Sequence, residues 1–75
     1  MKVIIMVLNG ENVLALLRGN PEGLDIIKIA KQLNADIRDV RSILNELQDN
    51  RKINTGLVKR EGRPTYFERM YYATG

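Results

Sequence analysis

The stretch AKQLNADIRDVRSILNELQDNRKI, residues 30–53, carries an apolar ladder at Ala30, Leu33, Val40, Leu44, Leu47 and Ile53. Ala30 and Leu33 stand one helical turn apart, and Val40, Leu44 and Leu47 keep the i, i+4, i+7 spacing of a single helix face. Between the two sets lies Asn34-Ala35-Asp36. That is enough chain to end one helix and cap the next, since Asn tolerates a left-handed C-terminal position and Asp is a strong N-cap. The spacing therefore predicts two short helices joined by a tight turn and followed by a strand that begins near Ile53.

Toward the N-terminus, Ile26, Ile29, Ala30 and Leu33 recur at i, i+3, i+4 and i+7, with Lys28, Lys31 and Gln32 on the opposite side. Asp25 is placed to cap this helix, and Leu24 to make a single short strand contact before it. An earlier helix is expected over Glu11 to Arg18, with Val13, Leu14 and Leu17 as its apolar face and Gly19-Asn20-Pro21 as its stop. Val3 to Leu8 is rich in β-branched residues and halts at the turn-forming pair Asn9-Gly10, so it reads as a short strand or an appended arm. The competing reading is an unbroken helix from Lys2 to Arg18.

Toward the C-terminus, Asp36 caps a helix over residues 37–49, with Asp39 at its third position as a shortened capping box. Ile37, Val40, Leu44 and Leu47 are expected to face inward, which turns Arg38, Asp39, Arg41, Ser42, Asn45 and Gln48 outward. Beyond Asp49-Asn50 the period changes to that of a strand, with Ile53, Thr55 and Leu57 on one face. Glu61-Gly62-Arg63-Pro64 makes a turn, and Thr65 to Met70 returns as an aromatic strand whose Tyr66 and Phe67 are expected to fill the core. Tyr71 and Tyr72 have no obvious place.

Seventy-five residues make one domain with a single modest core. The chain has no Cys and no His, which excludes disulfides, thiolate metal sites, Cys nucleophiles and imidazole chemistry. No pair of carboxylates is set for acid/base work, and the glycines do not have phosphate-binding spacing. The chain reads as a protein without cofactor, metal, small-molecule ligand or enzymatic activity. The six-residue apolar run from Val3 is too short for a signal peptide or a membrane span. A cysteine-free chain with 28% charged residues fits a reducing, cytoplasmic setting beside the nucleoid. The net charge of +3 is unevenly placed: residues 1–37 are balanced, and from Arg38 onward eight basic residues face five acidic ones.

The order of three helices and a hairpin, with the ladder from Ala30 to Ile53 and then Gly62-Arg63-Pro64-Thr65-Tyr66-Phe67, resembles the winged helix-turn-helix DNA-binding domains of bacterial and archaeal transcription regulators. The Gly-Arg-Pro turn before paired aromatics is especially similar to the wing of PadR-type regulators. The resemblance covers residues 11–70 of a single domain spanning 1–75; residues 1–10 and 71–75 fall outside it as packing or dimerisation extensions. It implies an α+β fold, a winged helix-turn-helix with three helices, a two-stranded β wing and an extra N-terminal strand or arm. It also implies a small regulator that binds double-stranded DNA in sequence-specific fashion. The two apolar ends outside that frame, Val3 to Leu8 and Tyr71-Tyr72, together with the few base pairs one helix can read, point to a homodimer on a palindrome, held by the first ten and last five residues.

In that frame helix 37–49 enters the major groove with Arg38, Arg41, Ser42 and Asn45 facing bases, since Arg pairs with guanine and Asn with adenine. The plainer account of these four is a solvated helix face with Arg38–Ser42 and Arg41–Asn45 pairing. The wing, residues 58–65, would lay Lys59, Arg60 and Arg63 on the backbone or in the minor groove; otherwise they keep a hairpin tip soluble. Lys28 and Lys31, on the helix across the groove entrance, are candidates for phosphate contact. The alternative function is a winged helix used for protein–protein contact in a replication or transcription assembly.

Overall fold

The computed structural model describes residues 8–62 and 66–74. Of the arm expected over Val3 to Leu8 all but Leu8 lies outside the described residues, as do Arg63 and Pro64 of the hairpin turn and Thr65, the expected start of the returning strand. Three helices, α1 (Gly10–Arg18), α2 (Ile26–Leu33) and α3 (Ile37–Asp49), precede an antiparallel hairpin of β1 (Ile53–Arg60) and β2 (Tyr66–Ala73).

Each helix starts on a side-chain cap. Asn9, in extended conformation, accepts the Asn12 amide at 2.8 Å through Oδ1, so α1 begins at Gly10 and the unbroken helix from Lys2 is excluded. Asp25 Oδ1 accepts the Lys28 amide at 2.8 Å, and Asp36 Oδ1 the Arg38 amide at 2.8 Å. Asp39 makes no bond back to the Asp36 amide among the described residues; its carboxylate is one methylene too short to complete the expected box and stays exposed.

Between α2 and α3 the chain reverses at Asn34, in left-handed conformation with φ 51°. The amides of Asn34 and Ala35 close on the carbonyls of Lys31 and Ala30, at 3.2 and 2.9 Å. These bonds satisfy the orphan groups of the helix end. A second non-glycine left-handed residue, Arg51 at φ 58°, ends the turn after α3, and the Lys52 amide reaches the Leu47 carbonyl at 2.9 Å. Thr74 ties the chain's other end to this corner, its hydroxyl donating to the Lys52 carbonyl at 2.8 Å.

The inner faces of the helices meet on one core of Val13, Leu14, Leu17, Leu24, Ile29, Ala30, Leu33, Val40, Leu44, Leu47 and Ile53. All six residues of the ladder are buried. Leu24 pairs with Tyr71 through reciprocal backbone bonds of 3.1 and 2.8 Å, adding a one-residue edge beside β2. This is the single strand contact expected of Leu24.

Three expectations fail, for related reasons: the place of residues 71–73, the burial of Tyr66 and Phe67, and the inward placement of Ile37. Strand β2 runs three residues past Met70, with Tyr71, Tyr72 and Ala73 opposite Thr55, Asn54 and Ile53. Those residues are therefore the base of the hairpin, and not an extension beyond the domain. The same register puts Tyr66 and Phe67 opposite Arg60 and Lys59 at the far end, where they are exposed. Leu57 shares a face with Ile53 but stands past the edge of the core and is 63% exposed. Ile37, one turn before Val40, overshoots the core at the other end and is 38% exposed.

Candidate nucleic-acid interface

The outward face of α3 carries Arg38, Arg41, Ser42 and Asn45 at i, i+3, i+4 and i+7, all exposed, with Gln48 one turn further on. Neither the Arg38–Ser42 nor the Arg41–Asn45 pairing is formed. Arg38 instead leans on its own N-cap, with Nε 3.8 Å from Asp36 Oδ1 and its side chain 88% exposed. An exposed pair at that separation holds the guanidinium only weakly. Among the described residues Arg41 makes no ion pair. Lys28 and Lys31 lie on the exposed side of α2. The second and third helices therefore present four cations on their solvent faces, all within the two elements joined by the turn at Asn34.

The hairpin sorts its basic residues onto two faces, because neighbours in a strand point to opposite sides. Lys59 is exposed and sits opposite Phe67; next along the same face Leu57 sits opposite Arg69. Arg69 was not among the residues singled out from the sequence. It stands alone in a run of aromatics, and only the cross-strand register shows that it shares a face with Lys59. Arg60 points the other way, its Nε 2.6 Å from Glu68 Oε2 and its Nη2 4.0 Å from Met70 Sδ. The hydrogen bond and charge of Glu68 raise the Arg60 pKa further, so the guanidinium is permanently charged and already engaged.

Glu68 also reaches the foot of α2. Asp25 is buried beside it. Burial alone would raise its pKa, but the Lys28 amide, the charge of Lys28 and the Ile27 amide outweigh it and the pKa is lowered. Arg60 and Glu68 thus form an ion pair across the two strands of the hairpin, on the side of the wing next to Asp25. Among the described residues no group of His, Cys, Asp or Glu could hold a metal ion, and no helix is long and apolar enough to cross a membrane.

No family model matches this sequence, and no curated protein matches it. Among solved structures, a zinc-responsive MarR family member from Lactococcus lactis, ZitR, superposes with a TM-score of 0.72 at 20% identity, over 99% of this chain and 45% of that one. The chain is a winged helix. It spans less than half of ZitR's length, and at that identity the likeness concerns the fold.

Within the winged-helix frame α2 and α3 are the helix-turn-helix and the hairpin is the wing. The structure brings Arg38, Arg41, Ser42 and Asn45 onto one helix face, with Lys28 and Lys31 on the preceding helix. It does not bring Lys59 and Arg60 together, since the strand separates them by face and Glu68 claims Arg60. Arg63 falls outside the described residues.

Proposed function

We propose that this winged helix binds double-stranded DNA as a small transcriptional regulator, with α3 in the major groove and the wing on the flanking backbone or in the minor groove. The observation that carries the reading is the contrast between the two sides of α3. Val40, Leu44 and Leu47 are buried, while Arg38, Arg41, Ser42 and Asn45 are exposed and hold no partner stronger than the 3.8 Å contact of Arg38. An α-helix fits the major groove, and Arg and Asn offer the bidentate donor sets that read guanine and adenine. Lys28, Lys31, Lys59 and Arg69 supply phosphate contacts; Arg60 acts by holding the two strands of the wing together through Glu68.

No cofactor or catalytic step enters, and the protein works by occupancy in the cytoplasm, at the nucleoid. The assignment is to winged-helix regulators at large. The Gly62-Arg63-Pro64 turn that resembles the PadR type extends outside the described residues, and the superposable structure is of the MarR family.

Binding to random-sequence duplexes across a salt series tests the reading. Affinity should fall steeply with salt, and replacing Lys59 and Arg69 together with Ala should flatten the log–log slope by about 0.9 for each lost phosphate contact, on every sequence alike. Arg60→Ala should change the slope much less. A salt-independent affinity, or none, would instead favour the protein-docking use of the fold.

Base reading by α3 has its own signature. After a preferred site is selected, Arg38→Ala and Arg41→Ala should each cost roughly 1–3 kcal/mol on that site and relax preference at one or two base positions. Equal losses on selected and random DNA would make them backbone contacts.

One recognition helix reads few base pairs, so we infer a homodimer on two half-sites about one helical turn, or a multiple, apart. Tyr71 to Ala73 belong to the wing, which leaves residues 1–10 as the dimerising segment. Sedimentation with and without residues 1–7 should show a dimer that the truncation dissociates; a full-length protein that binds DNA as a monomer refutes it.

A further inference from the structure

Two isoleucines stand on the side that the proposed function turns to DNA. Ile27 is 55% exposed and Ile37 38% exposed. Both line a shallow groove at the elbow between α2 and α3, whose remaining lining is Ala30, Lys31, Asn34 and Ala35. Neither belongs to the core cluster. Leaving branched aliphatic surface in water is unfavourable, so the elbow is better explained by something that covers it in use.

The rim says what kind of occupant fits. Lys31 lines the groove itself, and Lys28 and Arg38 are exposed beside Ile27 and Ile37 in sequence. Asp36, which adjoins Ile37 in sequence, is engaged by the Arg38 amide at 2.8 Å and the Arg38 guanidinium at 3.8 Å, and the groove's own lining contains no acid. A small apolar floor inside a cationic rim suits a polyanion that displays isolated apolar groups. In the major groove of a duplex the one such group is the C5-methyl of thymine, which marks T·A pairs apart from the other three.

We propose that the elbow seats a thymine C5-methyl, with Ile37 and Ile27 as its apolar walls, and so adds direct reading of T·A to the polar reading by Arg38, Arg41 and Asn45. The inference rests on the DNA-binding reading above and deepens it. A seated methyl should be worth about fourfold in affinity.

The experiment uses the duplex selected from a random pool by the full-length protein, resynthesised with deoxyuridine replacing thymine one position at a time. Deoxyuridine differs from thymidine only by the missing methyl. The expected result is a loss of about fourfold at one or two positions, and a thymine-to-deoxyuridine ratio near one at those positions for Ile37→Ala. The salt slope of that variant should stay unchanged, because Ile37 carries no charge, and the variant should remain folded at the assay temperature, because Ile37 is outside the core cluster. Ile27→Ala is the second variant and should reduce the same ratio.

A selected site with no preferred thymine, a wild-type ratio of one throughout, or a ratio that survives both substitutions overturns the proposal while leaving DNA binding intact. A partner protein whose capture needs Ile27 and Ile37, with the thymine ratio unaffected by either substitution, overturns it too. Absence of salt-dependent duplex binding removes this inference and the DNA-binding reading together.

Discussion

Leu44→Ala should remove a large share of the domain's stability. Leu44 is fully buried at the centre of α3, among the largest such side chains of the core. Truncating a buried leucine costs about 2–5 kcal/mol, through lost transfer energy and the cavity left behind. A domain of this length has roughly 4–11 kcal/mol to lose, and each kcal/mol lowers the midpoint of a chain this small by about 4–8 °C. A fall in melting temperature of more than about 10 °C is the expected result, read by circular dichroism. A shift of only a degree or two would mean that α3 does not pack as described. DNA affinity should fall with the folded fraction, whereas Arg41→Ala should reduce affinity at unchanged melting temperature.

The second large effect is at the join between the wing and the helices. Gly23 has φ +90°, a conformation that L side chains rarely adopt, and a Cβ built there would stand 2.8 Å from Cδ1 and Cζ of Tyr72, and closer still to Cε1. The other edge of the same ring lies over Gly56, at an ordinary 3.5 Å from where a Cβ would be. Tyr72 therefore occupies a slot between two glycines, one in the loop before α2 and one in β1. Gly23→Ala combines left-handed strain of roughly 1–2 kcal/mol with overpacking of about 1–3 kcal/mol. The ring must leave the slot or the loop must move. Chemical denaturation should show a loss of about 2–5 kcal/mol. In a Tyr72→Ala background the added cost of Gly23→Ala should shrink to the backbone part; an undiminished cost would show that the ring is not what the new methyl meets.

These two positions differ in how visible they are from the chain alone. Leu44 belongs to an i, i+4, i+7 series, and its burial follows from helix geometry once Val40 and Leu47 are noticed. Gly23, in the sequence, is only one of the loop residues between Pro21 and Asp25. What makes it matter is Tyr72, forty-nine positions away, and the Leu24–Tyr71 bridge that brings the two segments side by side.

The candidate interface divides in the same way. Arg38, Arg41, Ser42 and Asn45 share a face because 3.6 residues make a turn, so their grouping needed no tertiary information. The grouping of Lys59, Arg60 and Arg63 rested on closeness in sequence, and a strand sends adjacent side chains to opposite faces. Arg60 then meets Glu68 across the hairpin, and Lys59 finds Arg69 as its companion on the other face.

The sequence by itself determined the three helices, their caps at Asp25 and Asp36, the reversal at Asn34 and the buried ladder, since each depends on residues within a turn or two of one another. The tertiary structure alone decided where the core ends. The helices and strands run past its edges, so periodicity that marks Ile37 as inward-facing, and puts Leu57 on the face of Ile53, leaves both exposed, and the hairpin register carries Tyr66 and Phe67 to the far end of the wing while Tyr71 and Tyr72 pack at its base. Periodicity sets the direction of a side chain; the distance over which that direction meets other protein is set by how far neighbouring elements extend.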